Sequence, residues 1–126
     1  MAAGRRHSPG FERLCAEARA RVREVSVAEA ARMAAEPGTL LVDVREESEW
    51  AAGHAAGAIH LGKGIIERDI EERVPDPRTR LVCYCGGGYR SALVAESLQR
   101  MGYDNVLSVA GGWRAWCAEG LPVTRN

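Results

Sequence analysis

A cysteine followed by three glycines is the feature that most constrains this chain. Cys85 comes directly after the apolar run 81–84, and apolar residues at helical spacing follow the glycines as far as Met101. This order predicts a buried strand, a tight turn and a helix. The glycines let the backbone aim several N–H groups inward, and the helix adds the positive end of its dipole. A cysteine in that position is favoured as the thiolate, the nucleophilic form of the side chain.

Short apolar runs alternate with helical patterns along the rest of the chain. Strands are predicted over 40–44, 58–60, 81–84 and 106–109, and helices over 9–25, 27–35, 48–50, 65–74, 89–101 and 112–117. This alternation is typical of an α/β fold, with a parallel sheet, helices on both faces and right-handed crossovers. Ligands of such sheets bind at the carboxyl ends of the strands, and Cys85 is predicted to lie at such an end.

Composition restricts the size of the protein and its partners. The chain has 126 residues, enough for one domain with a core, and its 17 basic and 17 acidic residues balance. Charge therefore gives no reason to expect a nucleic acid or a membrane surface as partner. No apolar run reaches membrane-spanning length, and four cysteines without a CxxC pair favour a reducing compartment. We expect a cytoplasmic protein without a secretory signal.

Three collinear motifs resemble the signatures of the rhodanese-like domain. They are Asp43-Val44-Arg45-Glu46 with Glu49-Trp50, Gly53-His54 and Gly57-Ala58-Ile59-His60; the loop Cys85-Gly86-Gly87-Gly88-Tyr89-Arg90-Ser91; and Gly111-Gly112-Trp113 with Trp116 and Gly120-Leu121-Pro122. The resemblance implies a three-layer α/β/α rhodanese-like fold with a central, mainly parallel sheet. We expect residues 24–126 to form this domain and residues 1–23 to be a tail and an extra amphipathic helix.

The same resemblance implies an enzyme, a sulfurtransferase that needs no cofactor and no metal. In this family the loop cysteine takes a sulfane sulfur from a donor, becomes a persulfide and passes the sulfur to a thiol or to cyanide. The matching catalytic residue is Cys85, and the matching substrate-binding residues are Gly86, Gly87, Gly88, Tyr89 and Arg90. The implied partners are a small sulfur donor, a thiol acceptor and, in a relay, a protein acceptor, with the chain acting as a monomer or homodimer.

Two other functions stay open at this point. One is a persulfide carrier or regulatory module that acts with a partner protein and has little turnover alone. The other is a phosphatase, although the related phosphatases have a Cys-x5-Arg loop and only four residues separate Cys85 from Arg90 here. The sulfur donor is open as well. Gly86 and Gly87 stand where thiosulfate-using relatives often carry a cation, so a persulfide such as glutathione persulfide is an alternative donor.

Two residues of the first motif are expected to support the site from the scaffold. Arg45 would pair with an acid such as Glu49, and Asp43 would hold a neighbouring loop in place. Direct contact of these residues with the substrate is the alternative. Trp113 and Trp116 are expected to anchor the last helix in the core.

The remaining reactive side chains are given structural roles. His54 and His60 invite a cysteine–histidine mechanism, but the resemblance places both positions in the scaffold. Their spacing to Cys83 and Cys85 matches no standard zinc pattern, so we expect no metal site. Cys83 is expected to be buried in its strand, with a second reactive thiol there as the alternative.

Overall fold

The computed structural model describes residues 7–125, and residues 1–6 of the expected tail lie outside the described part. Its helices are α1 (Pro9–Arg19), α2 (Val27–Ala34), α3 (Glu47–Ala52), α4 (Ile66–Arg73), α5 (Tyr89–Arg100) and α6 (Gly112–Ala118). Its strands are β1 (Arg23–Val25), β2 (Thr39–Asp43), β3 (His54–Ala55), β4 (Ile59–His60), β5 (Arg80–Tyr84), β6 (Val106–Val109) and β7 (Val123–Thr124). Among the described residues, no helix has the length and apolar character that crossing a membrane requires.

Five strands form a parallel sheet in the order β1-β6-β5-β2-β4, with hydrophobic clusters on both faces. Side chains of β5 alternate between these clusters, as a buried strand requires. Leu81 and Cys83 pack on the side of α4 and α5, whereas Val82 and Tyr84 pack on the side of α2 and α6. The predicted three-layer α/β/α architecture with a mainly parallel sheet is therefore confirmed.

The strand order places the Cys85 loop at the point where the sheet changes direction. From β2 the chain moves outward to β4 and then returns to β5 on the other side of β2. In open α/β sheets, a crevice for ligands forms beyond the carboxyl ends of the two strands at such a point. The segments that follow β2 and β5 are the first motif and the cysteine loop.

Helix α1 is shorter than its apolar spacing predicts. The predicted helix reaches residue 25, but α1 ends at Arg19, and β1 pairs with the outer edge of β6. The free edge of β6 offers backbone partners that a continued helix could not use, and the Ala110 N–H donates to the carbonyl of Val25 at 2.8 Å. The remaining helix packs on α5 and buries Cys15 and Ala18.

A second sheet of two short antiparallel strands was not predicted. In this sheet β3 and β7 pair His54 with Thr124 and Ala55 with Val123. Each strand has two residues, too short a run for a periodic pattern to reveal. This pairing ties the C-terminal segment to the end of α3.

Candidate active site

The cysteine loop joins the central strand β5 to α5. Cys85 is 1% exposed, and residues 86–88 turn the chain into the first turn of the helix. Among these three glycines only Gly88 has a positive φ, +98°, so the backbone requires a glycine at that position. Gly86 and Gly87 matter for a different reason, since a Cβ on either would press against an arginine guanidinium, that of Arg90 at Gly86 and that of Arg114 at Gly87.

Backbone N–H groups converge on the sulfur of Cys85. Gly88 N–H donates to Sγ at 3.1 Å, and Ser91 N–H donates to it at 3.4 Å. Both groups belong to the start of α5, where the positive end of the helix dipole lies. The arrangement can hold a negative charge on sulfur without a metal or a lysine.

Two buried serines extend this network behind the sulfur. Ser91 Oγ lies 3.5 Å from Sγ of Cys85 and 2.8 Å from Oγ of Ser108, and both serines are fully buried. When Cys85 is negatively charged, the Ser91 hydroxyl can donate to Sγ and the Ser108 hydroxyl to Ser91. Sequence reasoning missed Ser108. A serine within the apolar run 106–109 was the available signal, because a buried hydroxyl needs a partner.

The start of α6 packs against the loop so closely that residue 112 has to be glycine. Trp113 N–H donates to the carbonyl of Cys85 at 2.7 Å, and Arg114 N–H donates to the carbonyl of Gly86 at 3.2 Å. A Cβ on Gly112 would overlap the Cys85 carbonyl oxygen and lie 3.0 Å from its carbonyl carbon. The third motif therefore holds the loop in shape from outside.

Arg90 is bound by an acid. Its Nη1 and Nη2 donate to the two carboxylate oxygens of Glu49 at 2.8 and 3.1 Å. These hydrogen bonds, which Arg90 donates and Glu49 accepts, are the main cause that raises the pKa of Arg90 and lowers the pKa of Glu49. This geometry corrects the expected pairing of Glu49 with Arg45. Arg90 still faces the loop, since a Cβ on Gly86 would lie 3.2 Å from its Nη2.

Arg45 pairs instead with Asp43, and the pair is buried. Arg45 Nη2 donates to Asp43 Oδ2 at 2.7 Å and to the carbonyl of Gly53 at 2.7 Å. The Tyr84 hydroxyl donates to the same Asp43 oxygen at 2.6 Å and accepts from the N–H of Ala55 at 3.0 Å. These bonds join the end of β2 to β5 and to β3. Neither Asp43 nor Arg45 lines the pocket above Cys85.

An open pocket of about 420 Å³ lies above the cysteine. One wall is aromatic: the Tyr89 ring is 4.3 Å from the ring of His7 and 6.1 Å from that of Phe11, measured between centroids. The Arg19 guanidinium covers Tyr89 at 4.4 Å. The rest of the pocket is polar and includes Glu46, Glu49, Arg90 and Arg114.

Tyr89, one of the residues expected to bind substrate, lines this pocket. His7, Phe11 and Arg114 were missed by sequence reasoning. The segment containing His7 and Phe11 lies more than 70 positions before the loop in the chain, and only the packing of α1 on α5 brings it to the pocket. One weak indication of a role for Arg114 was present in the sequence, because this residue directly follows Trp113 of the third motif.

Comparison with known families identifies the fold. A family model described as the rhodanese-like domain matches residues 26–119. This chain belongs to the rhodanese-like domain family. The match contains the cysteine loop and most of the sheet, whereas α1 and the aromatic wall from residues 7 and 11 lie before it.

Solved structures resemble this rhodanese-like protein over most of its length. A Rhodopseudomonas palustris protein of unknown function, described as a possible tyrosine phosphatase, is 27% identical, with a TM-score of 0.81 over 98% of this chain and 100% of the other. The homodimeric polysulfide-sulfur transferase of Wolinella succinogenes is 26% identical, with a TM-score of 0.79 over 93% and 88%. A thiosulfate sulfurtransferase of Pseudomonas aeruginosa is 25% identical, with a TM-score of 0.78 over 91% of this chain and 22% of that one. The relatives thus include sulfurtransferases.

The histidines of the rhodanese-like first motif form part of the scaffold. The Trp50 ring stacks on His54 at 3.4 Å and on His60 at 5.0 Å between centroids. His54 Nδ1 lies 3.1 Å from the carbonyl of Trp50, and His60 Nε2 lies 2.8 Å from that of Arg45. Neither histidine lines the Cys85 pocket. Within residues 7–125, no group of three or more histidine, cysteine, aspartate or glutamate side chains is placed to hold a metal.

The other cysteines of the rhodanese-like protein have different environments. Burial raises the pKa of Cys83 to about 12, and burial is also the main cause of the raised pKa of Cys15. Both thiols are therefore protonated at neutral pH, and the Cys83 side chain is inaccessible. Cys117 is exposed and serves as an internal reference for thiol reactivity.

Replacing Arg45 by methionine should strongly destabilise the rhodanese-like protein. The substitution leaves the carboxylate of Asp43 buried without its cation, which costs about 3–5 kcal/mol in the free energy of unfolding. Arg21→Met is the matched control, because it breaks an exposed pair with Glu96 worth about 1 kcal/mol or less. Urea unfolding followed by circular dichroism measures both losses. Equal, small losses would contradict the structural role of the buried pair.

Proposed function

We propose that this rhodanese-like protein is a sulfurtransferase. It would move a sulfane sulfur from thiosulfate or a persulfide to a thiol or cyanide acceptor, with Cys85 as nucleophile. The proposed substrate cradle consists of Gly86, Gly87, Gly88, Tyr89 and Arg90. The observation that carries the proposal is the pair of N–H donors on Cys85 Sγ at the base of an open pocket. Relatives that include a polysulfide-sulfur transferase and a thiosulfate sulfurtransferase support it.

The proposed reaction has two balanced half-reactions. In the first, the thiolate of Cys85 attacks the outer sulfur of the donor, so a new S–S bond forms while the old bond to that sulfur breaks. The donor leaves as sulfite or as a thiolate. In the second, the acceptor attacks the terminal sulfur, and the electron pair of the persulfide bond returns to Cys85 as a thiolate. No net electron transfer occurs, so the cycle requires no redox cofactor.

The distribution of roles around the sulfur supports this chemistry. The N–H groups of Gly88 and Ser91 would stabilise the negative charge that returns to Cys85 when the acceptor takes the sulfur. Ser91 and Ser108 can reorient their hydroxyl protons as that charge appears and disappears. Asp43 and Arg45 are proposed as scaffold residues that hold the neighbouring strand end.

Two alternatives are separable from this proposal. A persulfide carrier would accept sulfur on Cys85 but would turn over only with its partner protein. A phosphatase is suggested by the description of the Rhodopseudomonas relative. The gap of four residues between Cys85 and Arg90 argues against it, because the related phosphatases have five residues there.

Donor treatment should add one sulfur to the protein, on Cys85. Thiosulfate and glutathione persulfide are tested separately on a Cys117→Ser background, which removes the exposed thiol. Intact-protein mass spectrometry measures the added sulfur, peptide mapping locates it, and dithiothreitol should remove it. Repeated transfer to cyanide or glutathione identifies an enzyme, whereas a single transfer identifies a carrier. No sulfur on Cys85 with either donor, or Cys85-dependent hydrolysis of an aryl phosphate, would contradict the proposal.

The extent and location of the protein are also proposals. We propose that residues 24–126 are the sulfur-transfer domain and that residues 1–23 are an accessory segment, of which His7 and Phe11 line one wall of the pocket. A reducing compartment such as the cytoplasm suits four cysteines that are free in the described chain.

A further inference from the structure

The start of the cysteine loop carries no positive charge of its own, but an arginine from another helix lies over it. A Cβ on Gly87 would stand 3.3 Å from both Nη1 and Nη2 of Arg114, and a Cβ on Gly86 would stand 3.9 Å from Nη2. The guanidinium of Arg114 thus lies beside the space that a loop side chain would otherwise fill. It also lines the pocket that contains Cys85.

Arg114 differs from Arg90 in what it already binds. Arg90 donates to both oxygens of Glu49, so its charge is matched within the protein. Arg114 is exposed and has no acidic partner or side-chain hydrogen bond among residues 7–125. An arginine with a free guanidinium beside a nucleophile can bind a carboxylate or sulfonate through two parallel N–H bonds.

Backbone hydrogen bonds hold the main chain of Arg114 beside the cysteine loop. Its own N–H donates to the carbonyl of Gly86 at 3.2 Å, and the preceding Trp113 N–H donates to the carbonyl of Cys85 at 2.7 Å. The first turn of α6 and the cysteine loop are therefore one hydrogen-bonded unit. This unit anchors the main chain of Arg114 beside the loop, and its exposed guanidinium lies over Gly87 in the pocket that Cys85 also lines.

We propose that Arg114 binds the anionic group of the sulfur donor and thereby determines which donors the site accepts. This inference rests on the proposed sulfurtransferase function. The shared chemistry is an oxyanion on the donor, either the sulfonate bonded directly to the sulfane sulfur of thiosulfate or a carboxylate of an organic persulfide. Glycine at position 87 is the complementary feature, because a side chain there would displace the guanidinium.

The first test uses reagents that do not depend on sulfur transfer. Iodoacetate and iodoacetamide alkylate the same thiolate, but only iodoacetate carries a negative charge. The alkylation ratio, the rate at Cys85 with iodoacetate divided by the rate with iodoacetamide, therefore reports an anion-binding group nearby. In Arg114→Met this ratio should fall about tenfold or more, because the anionic reagent loses one charged hydrogen-bonding partner. Arg100→Met, an exposed arginine at the far end of α5, is the control and should keep the wild-type ratio. A wild-type ratio in Arg114→Met would overturn the proposal.

The second test identifies which anion is recognised. Initial rates of sulfur transfer to cyanide are measured with thiosulfate and with glutathione persulfide. For a donor held by Arg114, the variant Arg114→Met should raise KM about tenfold or more while kcat changes little. A rise for thiosulfate alone identifies the sulfonate, and a rise for the persulfide alone identifies the carboxylate. An unchanged KM with a lowered kcat for both donors would overturn the proposal, since Arg114 would then act on Cys85.

A second substitution tests whether Arg114 stands in for a missing loop cation. Gly87 has no positive φ, so a lysine can be accommodated there once the guanidinium is gone. Gly87→Lys in the Arg114→Met background should restore the alkylation ratio toward the wild-type value. If the ratio stays as low as in Arg114→Met, a cation at position 87 cannot take over the role of Arg114, and this interpretation is contradicted. If neither donor loads wild-type Cys85, the proposed function fails, and the alkylation ratio still decides the role of Arg114.

Discussion

Cys85→Ser should abolish sulfur transfer while the protein stays folded. A serine hydroxyl does not ionise near neutral pH and cannot form a persulfide, so every step of the proposed cycle is lost. We expect the rate of transfer to fall by on the order of a thousandfold or more, as found when a covalent nucleophile is removed. The hydroxyl can accept the hydrogen bonds that Gly88 and Ser91 now give to sulfur, so the loop has no unpaired donor.

Transfer from thiosulfate and from glutathione persulfide to cyanide measures the effect, with near-ultraviolet circular dichroism as the check on folding. Cys117→Ser is the matched control, because this thiol is exposed and lies on the outer part of α6. The control should transfer sulfur at the wild-type rate. Equal activity in Cys85→Ser and wild type would remove the nucleophile from the proposed mechanism.

Gly112→Ala should damage both stability and activity. The new Cβ would overlap the carbonyl oxygen of Cys85, and the φ of +50° at this position is unfavourable for any residue with a side chain. Since the clash is with backbone, the loop and α6 have to separate and the hydrogen bond from Trp113 is lost. We expect a loss of about 3 kcal/mol in the free energy of unfolding. In the protein that remains folded, sulfur transfer should fall about tenfold or more, because the N–H donors move from the sulfur.

Gly64→Ala is the control for this substitution. Its Cβ would meet no atom within 4 Å and its φ is not positive, so its stability should stay within about 0.5 kcal/mol of wild type. Urea unfolding measures stability in both variants, and the rate of Cys85 alkylation by iodoacetamide reports the shape of the loop. Wild-type stability together with wild-type alkylation in Gly112→Ala would show that the third motif does not shape the loop.

Local patterns in the sequence were sufficient to predict the architecture. Each segment around Cys85 has a pattern that predicts its own secondary structure. The apolar run predicts the strand, the glycines predict the turn, and the helical spacing beyond them predicts the helix. The alternation of strands and helices predicts a parallel sheet with helices on both faces, and the resemblance of the three motifs implies the rhodanese-like arrangement of that sheet. The position of the nucleophile candidate at a strand end follows from the same pattern. The end of α1 was misjudged because β6, far along the chain, offered its edge to residues 23–25.

The contacts around the sulfur were decided by the tertiary structure. Acidic residues near Arg45 in sequence suggested Glu49 as its partner, but the chain places Glu49 beside Arg90, 41 positions away. Ser108 and Arg114 reach the loop only because β6 and α6 follow it across the sheet. Such pairings depend on how segments cross in space, and side-chain spacing along one segment carries no information about another. The sequence by itself determined the fold and the location of the reactive thiol, whereas packing between distant segments decided which charges face that thiol.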